Sequence, residues 1–181
     1  MRERIKELVA IIADTLPTVD PVYEFGSFQV DGQEVFADLR PYFPGHEYVG
    51  TDARPGVGVD WILDLHNIDL PMGSIGTAVC VDTLEHVEYP RRAVDEICRV
   101  LKPDGMCVIT SVMNFPIHDY PHDYWRFTPQ GFQSLLKLFP HTFVGASGQE
   151  RFPHTVVGIG WKSDPDTVAY ERFKEAFDKW K

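Results

Sequence analysis

The chain has 181 residues, 44% of them apolar and 24% charged, with a formal net charge of −10. This is ordinary globular usage for one stable core. The acidic balance excludes the basic stripe that grips a nucleic-acid backbone, and no apolar run approaches the roughly 18 residues of a membrane span.

In chain order, Ile5, Leu8, Val9 and Ile12 recur at helical spacing between charges, which predicts an amphipathic helix over residues 2–16 rather than a signal peptide. Pro17 and Pro21 end it. A short buried strand is expected over Pro21–Phe25, then a loop from Gly26 to Gly32, and a short helix over Val35–Leu39 closed by Pro41 and Pro44-Gly45. Strands follow at Glu47–Asp52, Asp60–Asp64 and Thr77–Asp82. The next helix starts at Pro90, carries Val94, Ile97, Cys98 and Leu101 on one face, and stops before Pro103. Met106–Val112 reads as a fifth strand, Met113–Phe127 as an aromatic and histidine-rich loop, and Thr128-Pro129 as a capped helix start with Phe127 and Phe132 as its hydrophobic staple. His141–Ser147 and Thr155–Trp161 read as an antiparallel pair of last strands. Tyr170, Phe173, Phe177 and Trp180 form an aromatic stripe on a terminal helix within 163–181, suited to core packing or a homodimer face.

Strands alternating with helices predict a single α/β domain over 1–181: a doubly wound, Rossmann-like sheet of seven strands, mostly parallel with an antiparallel last strand, and helices on both faces. The 1–17 segment adds an N-terminal helix. Cys80, Cys98 and Cys107 fall inside predicted elements, an odd count that reads as reduced core thiols in a cytoplasmic protein.

In such sheets ligands bind at the carboxyl ends of the strands. Here those ends carry Glu24-Phe25-Gly26-Ser27, Asp52, Asp64-Leu65-His66, Asp82-Thr83-Leu84-Glu85-His86, and Ser111 leading to His118, His122 and Asp123. An acid at the end of the second strand suits a ribose, whose two hydroxyls a carboxylate can accept together. The first loop, Gly26-Ser27-Phe28-Gln29-Val30-Asp31-Gly32, lacks the G-x-G-x-x-G of dinucleotide folds. Glu24 before it would repel a pyrophosphate and attract an ammonium or sulfonium, which favours S-adenosylmethionine over NAD.

These stretches resemble the class I S-adenosylmethionine-dependent methyltransferases. YEFGS (Tyr23–Ser27) is similar to their first motif and YVGTD (Tyr48–Asp52) to their second. LDLHNIDLP (Leu63–Pro71) resembles the segment that cradles adenine. TLEHVEYPRRAVDEICRVLKPDG is similar to the strand-four mouth and following helix of the small methyltransferase-domain group. HDYPHDYWRFTPQGF (His118–Phe132) resembles a loop of a subgroup associated with carbohydrate or surface-glycan pathways. The resemblance spans roughly Pro21–Leu136. It departs at Phe28 and Val30, which stand where the family has glycines, and at Asp104 in the closing turn.

The resemblance implies S-adenosylmethionine as cofactor. Glu24, Gly26 and Ser27 would hold its methionine end, Asp52 its ribose, Asp64 and Leu65 its adenine, with Asp82 and Thr83 as floor. Transfer to an oxygen of a small-molecule or carbohydrate acceptor would use His118 as base and Asp123 as orienter or alternate base. His86, Tyr120, His122, Tyr124 and Trp125 would wall the acceptor pocket. Arg126 either binds an acidic acceptor or braces the loop against Asp123. His118 and His122 stand at i and i+4, but Pro121 argues against a helix that would align them, and no cysteine pair or H-E-x-x-H is present, so no metal is expected. No nucleic-acid or membrane partner is expected. The competing reading is a catalytically silent domain of the same kind that binds a nucleoside ligand or a partner protein.

Overall fold

A computed structural model describes residues 3–30, 32, 37–118 and 121–181. Its elements are α1 (Glu3–Thr15), β1 (Val22–Phe25), β2 (Tyr48–Asp52), β3 (Trp61–Ile62), β4 (Ile75–Val81), α2 (Pro90–Val100), β5 (Leu101–Val112), α3 (Pro129–Leu135), β6 (His141–Gln149), β7 (Phe152–Trp161) and α4 (Thr167–Trp180). The seven strands form one sheet in the order β3-β2-β1-β4-β5-β7-β6. Neighbours from β3 to β5 pair in parallel, whereas β7 runs antiparallel to both β5 and β6. This is the expected mostly parallel, doubly wound sheet.

Strand periodicity sorts the core into two layers. Ala78, Cys80, Cys107, Ile109 and Val156 face α2 and α3, with Val94, Ile97, Phe132 and Leu136 packed on them. Val79, Val81, Val108, Val157, Ile159 and Trp161 face α1 and α4. Each fully buried Ile, Leu or Phe here contributes roughly 1.5–3 kcal/mol. Gly158 and Gly160 give α3 and the turn after it their close approach, since a Cβ at Gly158 would stand 2.9 Å from Leu136 and one at Gly160 would stand 2.5 Å from Phe139. The three thiols are free and buried.

The aromatic stripe on α4 serves as packing. Phe173, Phe177 and Trp180 are buried against α1 and β6. Trp180 closes the layer: its indole N–H donates to the Arg4 carbonyl at 3.0 Å, and the Arg4 guanidinium lies 5.0 Å over its ring and bonds the Trp180 carbonyl. Around α3, the Thr128 hydroxyl caps the Gly131 N–H and the Phe127 and Phe132 rings meet at 5.4 Å, as the staple requires.

Two boundaries need correction, and one turn is added. The third strand is two residues long, Trp61–Ile62, and lies half-exposed at the sheet edge, so Asp60 and Asp64 flank it instead of belonging to it. Pro41 sits in a 3-10 turn over Arg40–Tyr42, where its missing N–H costs nothing, two residues beyond the expected end of the short helix. The fifth strand starts at once from α2, pairing Leu101 with Ile75 before a register shift absorbs the Pro103-Asp104-Gly105 turn. Val35 and Phe36 of the expected short helix, residue 2 of the first helix, and Tyr120 lie outside the described residues. Among the described residues no helix is long and apolar enough to cross a membrane.

Candidate active site

The carboxyl ends of β1, β2, β4 and β5 surround a cleft of about 460 Å3. That lies within the size range of sites that enclose a small organic ligand. Glu24, Gly26, Ser27, Asp52, Asp64, Leu65, Asp82 and Thr83 all line it, and so do Glu85, His86 and His118. Every cofactor-side residue named from the sequence is therefore brought to one cavity.

Gly26 is the tightest point at the tips of β1 and β4. Its φ is +87°, and a Cβ there would stand 2.2 Å from the Thr83 hydroxyl. Thr83 in turn donates to the Val81 carbonyl at 2.9 Å and the Phe25 carbonyl at 3.2 Å, tying the tips of β1 and β4 together. The adjoining Asp82 has a φ of +47°, held by its N–H to the Thr110 hydroxyl and carbonyl while the same hydroxyl reaches its Oδ1 at 3.0 Å.

The acids differ in their surroundings. Glu24 is 5% exposed and accepts a 2.7 Å hydrogen bond from the Tyr48 hydroxyl. Burial pushes its carboxyl up to about 7, against the opposing pull of that hydroxyl and of Arg40. Tyr48 is itself raised by burial and by Glu24, and carries Arg40 over its ring at 5.3 Å. Arg40 is anchored by Asp60 at 2.7 Å, and Asp60 also accepts the Gly50 N–H. Asp52 accepts from the Arg54 N–H at 3.0 Å and from its guanidinium at 3.3 Å. Asp64 takes the His66 N–H and ring at 2.8 Å each; that backbone N–H is the main cause holding its carboxyl below the usual range. The His66 ring also accepts the Tyr89 N–H, which fixes its tautomer.

The bulky residues in the first loop find their room across the cleft. The Phe28 ring packs on Gly56, whose Cβ would lie 2.2 Å away, and the Arg54 guanidinium covers it at 4.4 Å. Gly58 presses on the Ser27 carbonyl and the Gln29 side chain. Thus the glycines missing after Gly26 reappear at Gly56 and Gly58 on the facing connection.

At the other end of the cleft a 3-10 turn, Leu84–His86, meets the loop after β5. The Tyr124 and Trp125 N–H groups donate to the Glu85 carbonyl, and the His86 Nδ1 meets the His122 carbonyl at 2.5 Å. Desolvation lowers the pKa of His86, so this ring is neutral near pH 7. Glu85 is 1% exposed and accepts the Ser111 hydroxyl at 2.5 Å. The His118 N–H donates to Asp123 at 2.7 Å, and its Nδ1 stands 3.3 Å from the same carboxylate and 3.2 Å from the Pro116 carbonyl.

Several acceptor-side expectations change. Asp123 is unfit as an alternate base: two bonds from Arg126, at 2.5 and 2.7 Å, chiefly hold its carboxyl well below the usual range, and its side chain is 2% exposed. It can orient His118. Arg126 is the brace, spending its remaining donors on the Phe115, Pro116 and Trp125 carbonyls, so it has little left for an acidic acceptor. His122, Tyr124 and Trp125 do not line the cleft. Backbone bonds of Tyr124 and Trp125 to Glu85, and of the His122 carbonyl to His86, hold this stretch, with the Trp125 indole on the Val87 carbonyl and the His122 ring on Tyr124. Phe115, Pro121, Val87 and Val112 form the wall instead. Arg54, Tyr48 and Arg40 were not foreseen; an acid that must stay buried near a ligand is the signal that a nearby donor is required.

Residues 39–109 match the family model described as a methyltransferase domain. Among solved structures, an S-adenosylmethionine-dependent methyltransferase from Thermotoga maritima, described as a possible histamine N-methyltransferase, is 18% identical, with a TM-score of 0.62 over 88% of this chain and 89% of that one. The 1,6-didemethyltoxoflavin N1-methyltransferase of Burkholderia thailandensis, solved with 1,6-didemethyltoxoflavin and S-adenosylhomocysteine, is 15% identical, with a TM-score of 0.63 over 90% of this chain and 79% of that one. A putative methyltransferase from Haloferax volcanii, solved with a methyltransferase activator, is 14% identical with a TM-score of 0.62 over 89% of each chain. No curated protein matches the sequence. At these identities the likeness establishes the fold. The family match covers less than half of the chain, and its description accords with the fold of these methyltransferases.

Proposed function

We propose that the chain transfers the methyl group of S-adenosylmethionine to a hydroxyl oxygen of a small molecule or sugar. The donor supplies a methyl carbon already bonded to a sulfonium leaving group. The polar lining fits it: Gly26 and Ser27 offer backbone at a point where Thr83 leaves no room for a side chain, and Glu24 is a buried carboxyl suited to its ammonium group. Asp52 would take the ribose hydroxyls, Asp64 and the Leu65 backbone the adenine, and Asp82 with Thr83 the floor.

The observation that carries the oxygen acceptor is the anchoring of His118. Its Nδ1 side is tied to Asp123 and Pro116, which leaves Nε2 as the acceptor of a proton. As the acceptor oxygen forms its bond to the methyl carbon and the carbon–sulfur bond breaks, the hydroxyl proton passes to Nε2, and Asp123 stabilises the resulting imidazolium. Alignment of the two reactants is worth about 7–11 kcal/mol, and a placed base adds roughly 10²–10⁴-fold.

Two measurements test this. Calorimetric titration with S-adenosylhomocysteine is expected to give micromolar binding; no heat at millimolar ligand would remove the donor site. Turnover with S-adenosylmethionine over a panel of sugar nucleotides and small phenols, read by mass shift, is expected to mark a hydroxylated acceptor. Binding without turnover on any acceptor would leave a nucleoside-binding domain without catalysis, a reading to which the in-chain partners of Glu24 and Asp52 lend weight.

A further inference from the structure

We propose that the Glu85 carboxylate and the Nε2 atoms of His86 and His118 form a site for a divalent transition-metal cation at the acceptor end of the cleft. The three side chains come from two places in the chain, the turn after β4 and the loop after β5, and offer ligand atoms that all lie within 4.8 Å of one another. Around a cation with bonds of about 2.1 Å, tetrahedral donors stand roughly 3.4 Å apart. Closing the set therefore takes about an ångström of side-chain movement.

The surroundings of the histidines fit ligation. A metal-bound imidazole has its other nitrogen held by a carbonyl or carboxylate, which fixes the ring and its tautomer. Both rings are held so: His86 through Nδ1 to the His122 carbonyl, His118 through Nδ1 to Asp123 and Pro116. Both then present a lone pair on Nε2. The rings meet edge to face with centroids 4.8 Å apart. Glu85 is fixed in its turn by the Ser111 hydroxyl, and Asp123 by Arg126. Each ligand thus already carries its own supporting bond.

Two imidazoles and one carboxylate with open positions select manganese, iron, cobalt or zinc in their divalent states. Calcium and magnesium prefer all-oxygen sets. The open positions face the cleft, where an acceptor hydroxyl would complete the coordination. This part rests on the proposed methyl transfer. Coordinated there, the hydroxyl is acidified and releases its proton to solvent. Its oxygen then takes the methyl as the carbon–sulfur bond breaks, giving methyl ether and S-adenosylhomocysteine. In that state the His118 lone pair lies on the cation, and acidification replaces proton abstraction by the imidazole.

The test uses the full-length protein stripped with chelator and titrated with Co²⁺, read by visible d–d absorption and calorimetry. One equivalent is expected to bind. Affinity should fall at least tenfold in His118→Ala and in Glu85→Gln, and stay unchanged in His141→Ala, whose ring pairs with Asp164 at 3.1 Å and does not line the cleft. His118 is partly exposed, so its variant keeps the test valid if Glu85→Gln fails to fold. Absence of saturable Co²⁺ binding overturns the proposal, and so does equal binding by His118→Ala and the parent. Turnover is expected to drop at least tenfold in chelator and to return with Mn²⁺; full turnover in chelator overturns the assignment to the acceptor end. If Co²⁺ binds as expected while S-adenosylhomocysteine does not, the transfer reading falls and the cation site stands.

Discussion

The two ends of the cleft are built by different means. The end proposed for the donor is made of strand tips: Glu24, Gly26, Asp52 and Thr83 leave β1, β2 and β4, and the sheet ladder sets their positions to within the register of paired backbone. The end proposed for the acceptor is made of a one-turn helix and a long loop, held by a few hydrogen bonds, chiefly Tyr124 and Trp125 to Glu85 and His86 to His122 across the sequence, and Arg126 to Asp123 within the loop. A ladder distributes strain over many bonds. A loop held by two or three bonds can be retuned by changing one of them. The donor end should therefore be sensitive to shape, and the acceptor end to single polar contacts.

The largest effect should come from breaking shape at the donor end. Gly26→Val places a side chain against Thr83 at a positive φ. Strain and overpacking together should cost about 2–5 kcal/mol. Thermal melting should show that loss, and calorimetry should show S-adenosylhomocysteine binding gone. A variant that melts and binds like the parent would erase the contrast between the two ends.

Next comes a single contact at the acceptor end. Asp123→Asn keeps volume but weakens the hold on Arg126 and on His118. kcat is expected to fall about 10²-fold, while the KM for the methyl donor stays within a few-fold. Asp123 acts here as a positioning residue, so equal changes in kcat and KM would point to a loop that has simply come loose.

A smaller effect concerns the buried acid. Glu24 has its carboxyl raised from 4.5 to about 7. The folded state therefore holds the proton more tightly than the unfolded chain. Stability is greatest below pH 4.5 on this account, falls as pH rises through the window up to 7, and the full cost remains above it. That cost is at most about 3 kcal/mol. Glu24→Gln should flatten this part of the stability profile in chemical denaturation and make the free protein more stable at pH 8, while weakening S-adenosylhomocysteine. In the parent, affinity for that ligand should rise as pH passes 7, with proton release on binding seen by calorimetry in buffers of different ionisation enthalpy.

The smallest effect is expected at Phe28. Its ring lies on Gly56 under Arg54, so Phe28→Ala should cost about 1 kcal/mol or less through the lost cation–π contact. S-adenosylhomocysteine affinity should change less than tenfold. A larger gain would mean that the ring crowds the donor after all.

Much of the donor end was legible in the sequence because its elements are punctuated locally. Pro90, Thr128 and the apolar runs mark the strands and helices, and a strand's last polar residue falls at its tip by construction. The short third strand was not legible, since Asp60 and Asp64 bracket only Trp61 and Ile62 between turns that carry no periodic signal. The acceptor end was only half legible. His118 and Asp123 could be picked out as chemical types, but which way Tyr124 and Trp125 point depends on backbone bonds to Glu85, nearly forty residues away in sequence. The meeting of Glu85, His86 and His118, the Tyr48 hydroxyl on Glu24 and the Arg54 pair on Asp52 likewise arise from tertiary placement. Spacing alone weighed His118 with His122, whose ring turns instead toward Tyr124.

The clasp between Arg4 and Trp180 joins positions 176 residues apart. The apolar stripe of α1 belongs to a layer that also takes in Leu39, Phe43, Val79 and Val108, but that layer is complete only when α4 adds Phe173, Phe177 and Trp180. That layer assembles late and over a long span of chain, the kind of closure that slows folding. A substitution at Trp180 should therefore raise dependence on chaperones during expression while leaving the ligand cleft, on the other edge of the core, intact.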